Sequence, residues 1–139
     1  MSQENVEVVR RGWEAFEAGL ARGDFGAGFE SGAFADNVEW IPPRGFPARP
    51  VYRGREGFEE FMHTWTEDFA DFALRLERLI DAGDDRVVGL FHHRAIGKAS
   101  GVPVEIRQGL VYELDGGRVI RCRNYSSHAE ALEAVGLRE

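Results

Sequence analysis

The sequence has one cysteine, no long apolar run and no excess of basic residues, and each shortage excludes a class of protein. Cys122 alone cannot form an internal disulfide, which is compatible with an intracellular protein. No window is long or apolar enough to predict a membrane span, and the first residues lack the apolar segment of a secretory signal. The net charge of −7 argues against binding to nucleic acid or to an anionic membrane. We therefore expect a cytoplasmic protein.

Several sequence motifs that identify enzymes are also missing. The chain has no glycine-rich phosphate loop, no cluster of residues spaced as metal ligands and no nucleophile-elbow motif. Their absence argues against several classes of nucleotide-dependent, metal-dependent and hydrolytic enzymes. We expect neither a metal nor a cofactor.

The spacing of apolar residues predicts three helices before the last third of the chain. Apolar side chains recur every three or four residues from Val6 to Leu20, and again from Phe58 to Trp65 within a helix predicted over 55–69. A short helix is expected near Phe29–Phe34. The 139 residues are enough for one domain with a buried core, which we assign to 1–139.

Strands dominate the second half, where apolar and polar residues alternate between turns. Ser127 and Glu130 form a capping box for a final helix. The order of these elements is typical of an α+β fold with a mostly antiparallel sheet. The predicted strands cover Val38–Ile41, 72–80, Val87–Ile96, Val104–Leu114 and Val119–Tyr125.

Alternation gives each strand two faces but does not always show which face is buried. In the strand Val87–Ile96, both the face with Phe91 and His93 and the opposite face carry apolar residues, so the choice stays open. In the strand Val119–Tyr125, alternation favours burial of Ile120 and Cys122, because the other face carries two arginines.

The last strand and helix carry a family resemblance. The segment GGRVIRCRNYSSHAEALEAVGL resembles the SnoaL-like branch of the nuclear-transport-factor-2-like superfamily, whose members often end in a DGKI…Y…AEALEAAGL pattern. The resemblance implies an α+β cone-shaped barrel. A curved, mostly antiparallel sheet would wrap around the N-terminal helices and enclose one pocket.

Two enzyme families of this superfamily, limonene epoxide hydrolase and scytalone dehydratase, indicate which side chains would face the pocket. When the chain is laid over them, polar catalytic positions of the last strand fall on Asn124, with Cys122 on the same face. Two catalytic positions of the third strand fall on Phe91 and His93. The catalytic position of the first strand, shared with ketosteroid isomerase, falls on Trp40. An apolar pocket wall on the fourth strand falls on Ile106, Gln108 and Leu110.

The chain departs from the catalytic residues of these families. The epoxide hydrolase needs an Asp–Arg–Asp set, whereas this chain has His93, Phe91 and Asn124 at those positions. Ketosteroid isomerase needs a carboxylate base, and Trp40 cannot act as one. The resemblance therefore implies the pocket but neither of these mechanisms.

His93 and Asn124 are the candidate catalytic residues. Histidine titrates near neutral pH, so His93 is predicted to act as an acid or base with Asn124 orienting it or the substrate. The alternative is a buried histidine whose hydrogen bonds merely satisfy the core. The aromatic side chains either pack an ordinary core or line the pocket: Trp13, Phe16, Trp40, Phe61, Trp65 and Phe91.

Two functions follow from these predictions. The first is a cofactor-free isomerase, dehydratase or cyclase, similar to polyketide cyclases, that acts on a largely apolar substrate with His93 as the acid or base. The alternative is a small-ligand-binding or accessory module without catalysis. We also expect a homodimer, because Val88, Leu90 and Ile96 make the outer sheet face apolar and no predicted helix remains to cover it.

Overall fold

The structure is a computed structural model that describes residues 2–46 and 49–138, so the ends of the predicted domain, Met1 and Glu139, lie outside the described residues. Its helical elements are α1 (Ser2–Leu20), a short 3₁₀ helix (Ala27–Ser31), α2 (Gly54–Thr66) and α3 (His128–Ala134). Its strands are β1 (Phe34–Ile41), β2 (Tyr52–Arg53), β3 (Phe69–Ala73), β4 (Leu76–Gly83), β5 (Arg86–Phe91), β6 (His93–Gly97), β7 (Pro103–Ile106), β8 (Gly109–Asp115) and β9 (Arg118–Tyr125).

The strands form two curved sheets that do not close into a complete barrel. The large sheet has the order β2-β1-β9-β8-β5-β4, and the small sheet has the order β3-β6-β7. Within the described residues, β1 and β9 are parallel and the other strand pairs are antiparallel. The predicted α+β fold with a mostly antiparallel, cone-like sheet is confirmed.

The N-terminal helices pack against the concave side of the large sheet. From α1, Val6 and Val9 join a core cluster with Phe91 and Val119 of the sheet. Aromatic residues of α2 build a second cluster with Phe16 of α1. Among the described residues, no helix is long and apolar enough to span a membrane.

Three predicted element boundaries are wrong. The helix expected at Phe29–Phe34 is a short 3₁₀ helix that ends at Ser31 and is followed by Gly32, whose φ of 78° lies in the left-handed region that glycine favours. Consequently β1 begins at Phe34 and not at Val38. The helix α2 ends at Thr66, and Phe69 already belongs to β3.

Each of the long predicted strands is divided in two by a bend. The strand predicted over Val87–Ile96 breaks at His92, whose N–H binds the carbonyl of Arg75, 2.9 Å away. The strand predicted over Val104–Leu114 breaks before Gly109, and the strand predicted over 72–80 breaks before Leu76. These bends lie side by side and separate the small sheet from the large one.

A β-bulge in β9 overturns the prediction that Ile120 is buried. Leu114 pairs with Val119 whereas Glu113 pairs with Arg121, so Ile120 is one extra residue on β9. The bulge reverses the alternation, which leaves Val119 fully buried and Ile120 36% exposed. Cys122 remains buried, as predicted.

The helix α3 covers part of the sheet face that was expected to be bare. Ala131 and Leu132 pack against Val88 and Leu90, which are both buried. Ser127 caps this helix as predicted, because its hydroxyl accepts a hydrogen bond from the Glu130 amide at 3.1 Å. The premise that no helix remains to cover Val88 and Leu90 is therefore wrong. Ile96 belongs to the small sheet and stays 39% exposed.

Candidate functional site: an aromatic cavity with a polar end

A cavity lies between the concave face of the large sheet and the helices α1 and α2. About 80 Å³ of it is open to the centre of a water molecule. A single water needs only about 10–15 Å³ measured in this way, so the space is large enough for a compact organic molecule. The side chains that line it come from α1, α2, the 3₁₀ helix and the strands of both sheets.

Most of the lining is aromatic or aliphatic. No Asp, Glu, Lys or Arg occurs among the described residues that line the cavity. The described part of the chain also holds no group of three or more His, Cys, Asp or Glu side chains placed to bind a metal ion. The lining residues are Val9, Gly12, Trp13, Phe16, Gly28, Phe29, Phe34, Val38, Trp40, Phe58, Phe61, Met62, Trp65, Leu74, Phe91, His93, Gln108, Leu110 and Tyr112.

The aromatic rings support one another at the edges of the cavity. Trp40 meets Phe58 edge to face at 4.8 Å between ring centroids, and Phe61 at 5.4 Å. Trp13 meets Phe91 at 5.1 Å. Such tilted and edge-on contacts are the favourable geometries for aromatic pairs. They hold the rings in place while leaving a space that flat, rigid side chains do not fill.

A chain of neutral hydrogen bonds forms the polar end of the cavity, where the sheet bends. The Nε2 atom of His93 lies 2.9 Å from Oε1 of Gln108. The Gln108 amide donates to Oδ1 of Asn124, and the Asn124 amide donates to the carbonyl of Ile41 at 2.8 Å. At the other end, the backbone N–H of Arg75 donates to Nδ1 of His93 at 3.3 Å.

These contacts determine the protonation state of His93. Because Nδ1 accepts from the Arg75 amide, the proton of the neutral ring is on Nε2, which donates to Gln108. Burial is the main cause that lowers the pKa of His93 to about 4, although the hydrogen bond to Gln108 opposes the shift. The rings of Phe91 and Trp65 flank the imidazole, with centroids 5.5 and 6.3 Å away. At neutral pH, His93 is an uncharged ring with both nitrogens hydrogen-bonded to the protein.

The structure brings most of the predicted site residues together around this cavity. Those that line it are Trp13, Phe16, Trp40, Phe61, Trp65, Phe91, His93, Gln108 and Leu110. Three predicted residues do not line it: Ile106, Cys122 and Asn124. Asn124 is buried behind Gln108 and reaches the cavity only through that amide. Whether any of these residues binds a ligand or takes part in catalysis stays a prediction.

Cys122 and Ile106 are placed elsewhere for different reasons. Cys122 is fully buried in the core beside Tyr112, and burial raises the pKa of its thiol well above the usual value. A thiol held in its neutral form is a small hydrophobic group. Ile106 ends β7 next to the bend and pairs with His93, but Gln108, beyond the bend, carries the polar contact.

The sequence analysis did not predict several of the residues that line the cavity, although two kinds of sequence pattern pointed to some of them. Phe58 and Met62 lie on the same apolar stripe of α2 as Phe61 and Trp65. Tyr112 follows Leu110 by two residues on β8, so alternation places the two on one face. No local pattern marked Phe29, Phe34 or Leu74, because they reach the cavity only through the packing of distant elements.

Comparison with known proteins agrees with this architecture. The sequence pattern of the SnoaL-like domain family matches residues 9–122. No curated protein matches the chain significantly. An NTF2-like protein of unknown function from Burkholderia pseudomallei is 22% identical, with 96% of this chain and 98% of that chain covered and a TM-score of 0.71.

Two other solved structures share the fold. TerC, co-crystallised with polyporic acid, is 18% identical, with 95% of this chain and 98% of that chain covered and a TM-score of 0.72. A putative SnoaL-like polyketide cyclase from Jannaschia sp. CCS1 is 18% identical, with 99% of this chain and 94% of that chain covered and a TM-score of 0.68. At these identities, the likeness shows the fold alone. Because the family pattern covers most of its length, the chain belongs to the SnoaL-like domain family of NTF2-like proteins.

Proposed function

We propose that the protein binds a small, neutral and largely apolar molecule in the aromatic cavity. The observation that carries this proposal is the lining, which is rich in aromatic rings and has no charged side chain among its described residues. An ionised ligand group would lose its hydration there without gaining a counter-charge, which is costly. Pockets of this kind, apolar with a few convergent polar groups, are the usual sites for small ligands.

The structural neighbours support an organic ligand of this type. One of them was crystallised with polyporic acid, and another is described as a putative polyketide cyclase. These descriptions concern those two proteins. They favour, for the present chain, the use of the same concave space for a carbon-rich molecule.

Catalysis with His93 as acid or base is the weaker candidate. A general base needs a free lone pair, but Nδ1 of His93 already accepts the Arg75 N–H and Nε2 carries the proton toward Gln108. A general acid needs a proton to give, and the lowered pKa keeps the ring neutral at pH 7. A substrate would first have to displace one of these bonds. Turnover of an identified substrate that survives His93→Ala would end the isomerase, dehydratase or cyclase hypothesis in its present form.

The binding proposal is tested by filling the cavity. Leu74 is a half-buried lining residue, and Leu74→Trp should occupy part of the space. The matched control is Ile120→Trp, which adds an indole at an exposed position outside the cavity. Acetophenone, a neutral aromatic probe, should raise the melting temperature of the wild type and the control, since a ligand that binds only the folded state stabilises it. The filled variant should show little or no increase.

Two results would contradict the binding proposal. One is equal stabilisation of all three proteins by the probe, which would place the binding outside the cavity. The other is no stabilisation of the wild type by any neutral aromatic probe at millimolar concentration. Native mass spectrometry of the incubated protein then separates binding from catalysis. An unchanged bound molecule supports a binding module, and a converted one supports an enzyme.

A homodimer stays part of the proposal, now through the small sheet. Ile96 of β6 is 39% exposed and lies beside Pro103 of β7, on the face of the small sheet that is turned away from His93. Arg94 of β6 and Glu105 of β7 lie opposite each other on this same face, so a second copy that packs against Ile96 would meet opposite charges around the contact. A specific interface would bury about 1,200–2,000 Å² in total.

The dimer is tested by light scattering at several salt concentrations. Ile96→Asp should convert dimers to monomers, because it places an unpaired charge in an apolar contact. Ile120→Asp, at a similarly exposed isoleucine of the large sheet, should leave the mass unchanged. A monomeric mass for the wild type would contradict this part of the proposal. The cytoplasmic location and the absence of nucleic-acid and membrane partners remain predictions from the sequence.

A further inference from the structure

The hydroxyl group of Tyr112 lies deep in the protein and makes no hydrogen bond with the described residues. Tyr112 is 4% exposed, and burial is the main cause that raises the pKa of its hydroxyl well above the usual value. Within the described part of the chain, Nε1 of Trp40 is the unpaired side-chain nitrogen or oxygen that water cannot reach. The Tyr112 oxygen is unpaired as well, and since it is not among the atoms that water cannot reach, part of its surface is open.

The open surface of this hydroxyl faces the cavity. Along β8, Leu110 and Tyr112 line the cavity, whereas Leu114, the next residue on the same face, does not. The ring of Tyr112 leans toward the Leu110 side, because its Cε2 atom approaches Gly89, the residue that pairs with Leu110. A Cβ atom on Gly89 would lie only 3.1 Å from that carbon and 2.8 Å from Cε2 of Phe91, so the glycine leaves room for both rings. The phenol therefore points along the sheet into the cavity.

We infer that the hydroxyl of Tyr112 is the recognition donor of the cavity, and that the ligand is a largely apolar compound with an uncharged carbonyl oxygen. This inference rests on the proposed binding function and names its ligand class. A phenol that stays protonated has one O–H to donate, and a carbonyl oxygen accepts it without bringing a donor of its own. A ligand hydroxyl would bring a further O–H, for which the surrounding rings provide no acceptor.

The surroundings of Tyr112 exclude a charged partner. The burial that disfavours the phenolate form would also disfavour a carboxylate of the ligand at the same place. No Lys or Arg occurs among the described residues that line the cavity, so a buried anion would find no counter-charge. The oxygen that meets Tyr112 is therefore neutral.

The other polar side chains of the lining are less suited to this role. His93 donates to Gln108, whose amide in turn donates to a side chain of β9. Trp13 and Trp65 are only partly buried, so water can accept from their indole N–H groups. Tyr112 combines a buried donor, an open surface and the lack of a partner. A buried donor without an acceptor is unfavourable, and a ligand oxygen would remove that penalty.

The experiment compares two probes that differ only in the acceptor. Acetophenone carries a carbonyl oxygen, and α-methylstyrene has a methylene group in its place. Affinities for both are measured by NMR titration of ¹⁵N-labelled protein, followed through the backbone amides of the strands around the cavity. We expect acetophenone to bind roughly three- to ten-fold more tightly, the range of one net hydrogen bond.

Two tyrosine variants identify the donor. Tyr112→Phe keeps the ring and deletes the hydroxyl, so it should remove the preference for acetophenone while the hydrocarbon binds as before. Tyr52→Phe is the matched control, because Tyr52 is also buried, at 1% exposure, and does not line the cavity. Its hydroxyl already accepts a hydrogen bond from the backbone N–H of Arg49 at 3.3 Å. The preference for acetophenone should persist in this control.

The same variants test the unpaired state of the hydroxyl without any ligand. Tyr112→Phe should leave the melting temperature unchanged or raise it, because no hydrogen bond within the protein is lost. Tyr52→Phe should lower the melting temperature, because it removes the bond from Arg49. An equal decrease in both variants would show that Tyr112 is bonded within the protein and would overturn the inference.

The outcomes of the titrations separate this inference from the function beneath it. Equal binding of the two probes to the wild type, with signals around the cavity shifted, overturns the role of Tyr112 but leaves the binding proposal intact. A preference for acetophenone that persists in Tyr112→Phe also overturns it and assigns the donor elsewhere. Failure of both probes to shift any signal around the cavity overturns the inference and the binding proposal together.

Discussion

The two faces of the large sheet are both covered by helices, but they are packed in different ways. On the outer face, aliphatic side chains of α3 such as Leu132 pack directly on Val88 and Leu90. On the concave face, rings of α1 and α2 stand edge to face and leave a cavity. Branched aliphatic side chains adapt to one another and fill space, whereas rigid rings supported by other rings keep it open. The difference shows that the cavity is built by the choice of side chain on one face.

The polar groups of the two faces differ in the same way. Outside, Glu39 and Glu113 alternate with arginines: Arg121 lies 2.9 Å from Glu39 and 3.0 Å from Glu113, and Arg123 lies 3.4 Å from Glu113. These side chains are partly exposed, so water shares their charge. Inside, His93, Gln108 and Asn124 pass neutral hydrogen bonds from one to the next. Charges are used where water is present and amides where it is excluded.

The largest difference between the two faces is expected when one leucine is removed from each and the loss in the free energy of unfolding is compared. Leu132 and Leu110 are 3% and 4% exposed, so Leu132→Ala and Leu110→Ala delete the same group at the same burial. Replacing a buried leucine with alanine lowers the free energy of unfolding by about 2–5 kcal/mol, and the loss is larger where the surrounding side chains lose more contacts. Leu132→Ala should lie near the top of this range and Leu110→Ala near the bottom, because Leu110 already borders a cavity.

Urea denaturation of the two variants gives the free energies of unfolding. Equal losses would show that the concave face is packed as tightly as the outer one. In that case the cavity would not weaken the packing around Leu110.

Because His93 is neutral in the folded protein, the free energy of unfolding depends on pH. The pKa of His93 is about 4 in the folded protein and 6.5 in the reference state. Since the unfolded chain binds more protons between these values, stability is complete above about pH 6.5 and is lost as the pH falls toward 4. We expect the free energy of unfolding to fall by about 2 kcal/mol between pH 7 and pH 5 because of this group.

His93→Gln should abolish this part of the pH dependence of the free energy of unfolding. His63→Gln, at an exposed position of α2, serves as the matched control and should keep the slope of the wild type. The measurement is urea denaturation at pH 7, 6 and 5. A slope that is the same in wild type and His93→Gln would mean that His93 is protonated in the folded protein or solvated within it.

The outer charges should produce the smallest effect. Glu113→Gln removes the carboxylate shared by Arg121 and Arg123 and should cost no more than about 1 kcal/mol, the upper end for exposed ion pairs. The loss should shrink further in 0.5 M salt because exposed charges are screened. Glu133→Gln on the exposed side of α3 is the control, and thermal unfolding at low and high salt is the measurement. A loss of stability above about 2 kcal/mol that is the same at low and high salt would show that these ion pairs are not solvated.

Local patterns predicted much of this molecule. The apolar stripes of α1 and α2, the capping box of Ser127 and Glu130 and the turns between strands all arise from contacts within a few residues. The family resemblance indicated that Phe91 and His93 share the concave face, a choice that alternation alone left open, and both residues line the cavity. For that reason most of the predicted pocket residues lie together.

The parts that were predicted wrongly depend on distant partners. The bulge that exposes Ile120 exists only because β9 pairs with β8. The bend at His92 follows from its hydrogen bond to Arg75, which is remote in sequence. The covering of Leu90 by α3 required knowing where the last helix returns. Gln108 was expected to form an apolar wall, but it links His93 and Asn124 because the bend turns its side chain toward both.

The tryptophans give the cavity an optical signal of its own. The chain has three tryptophans, and Trp13, Trp40 and Trp65 all line this one space. No fourth indole elsewhere adds a background, so the whole tryptophan emission of the unmodified protein originates at the cavity wall. A molecule that enters should quench or shift that emission as a single event. The natural sequence therefore already contains the fluorescent reporter needed to screen for its ligand, without any label.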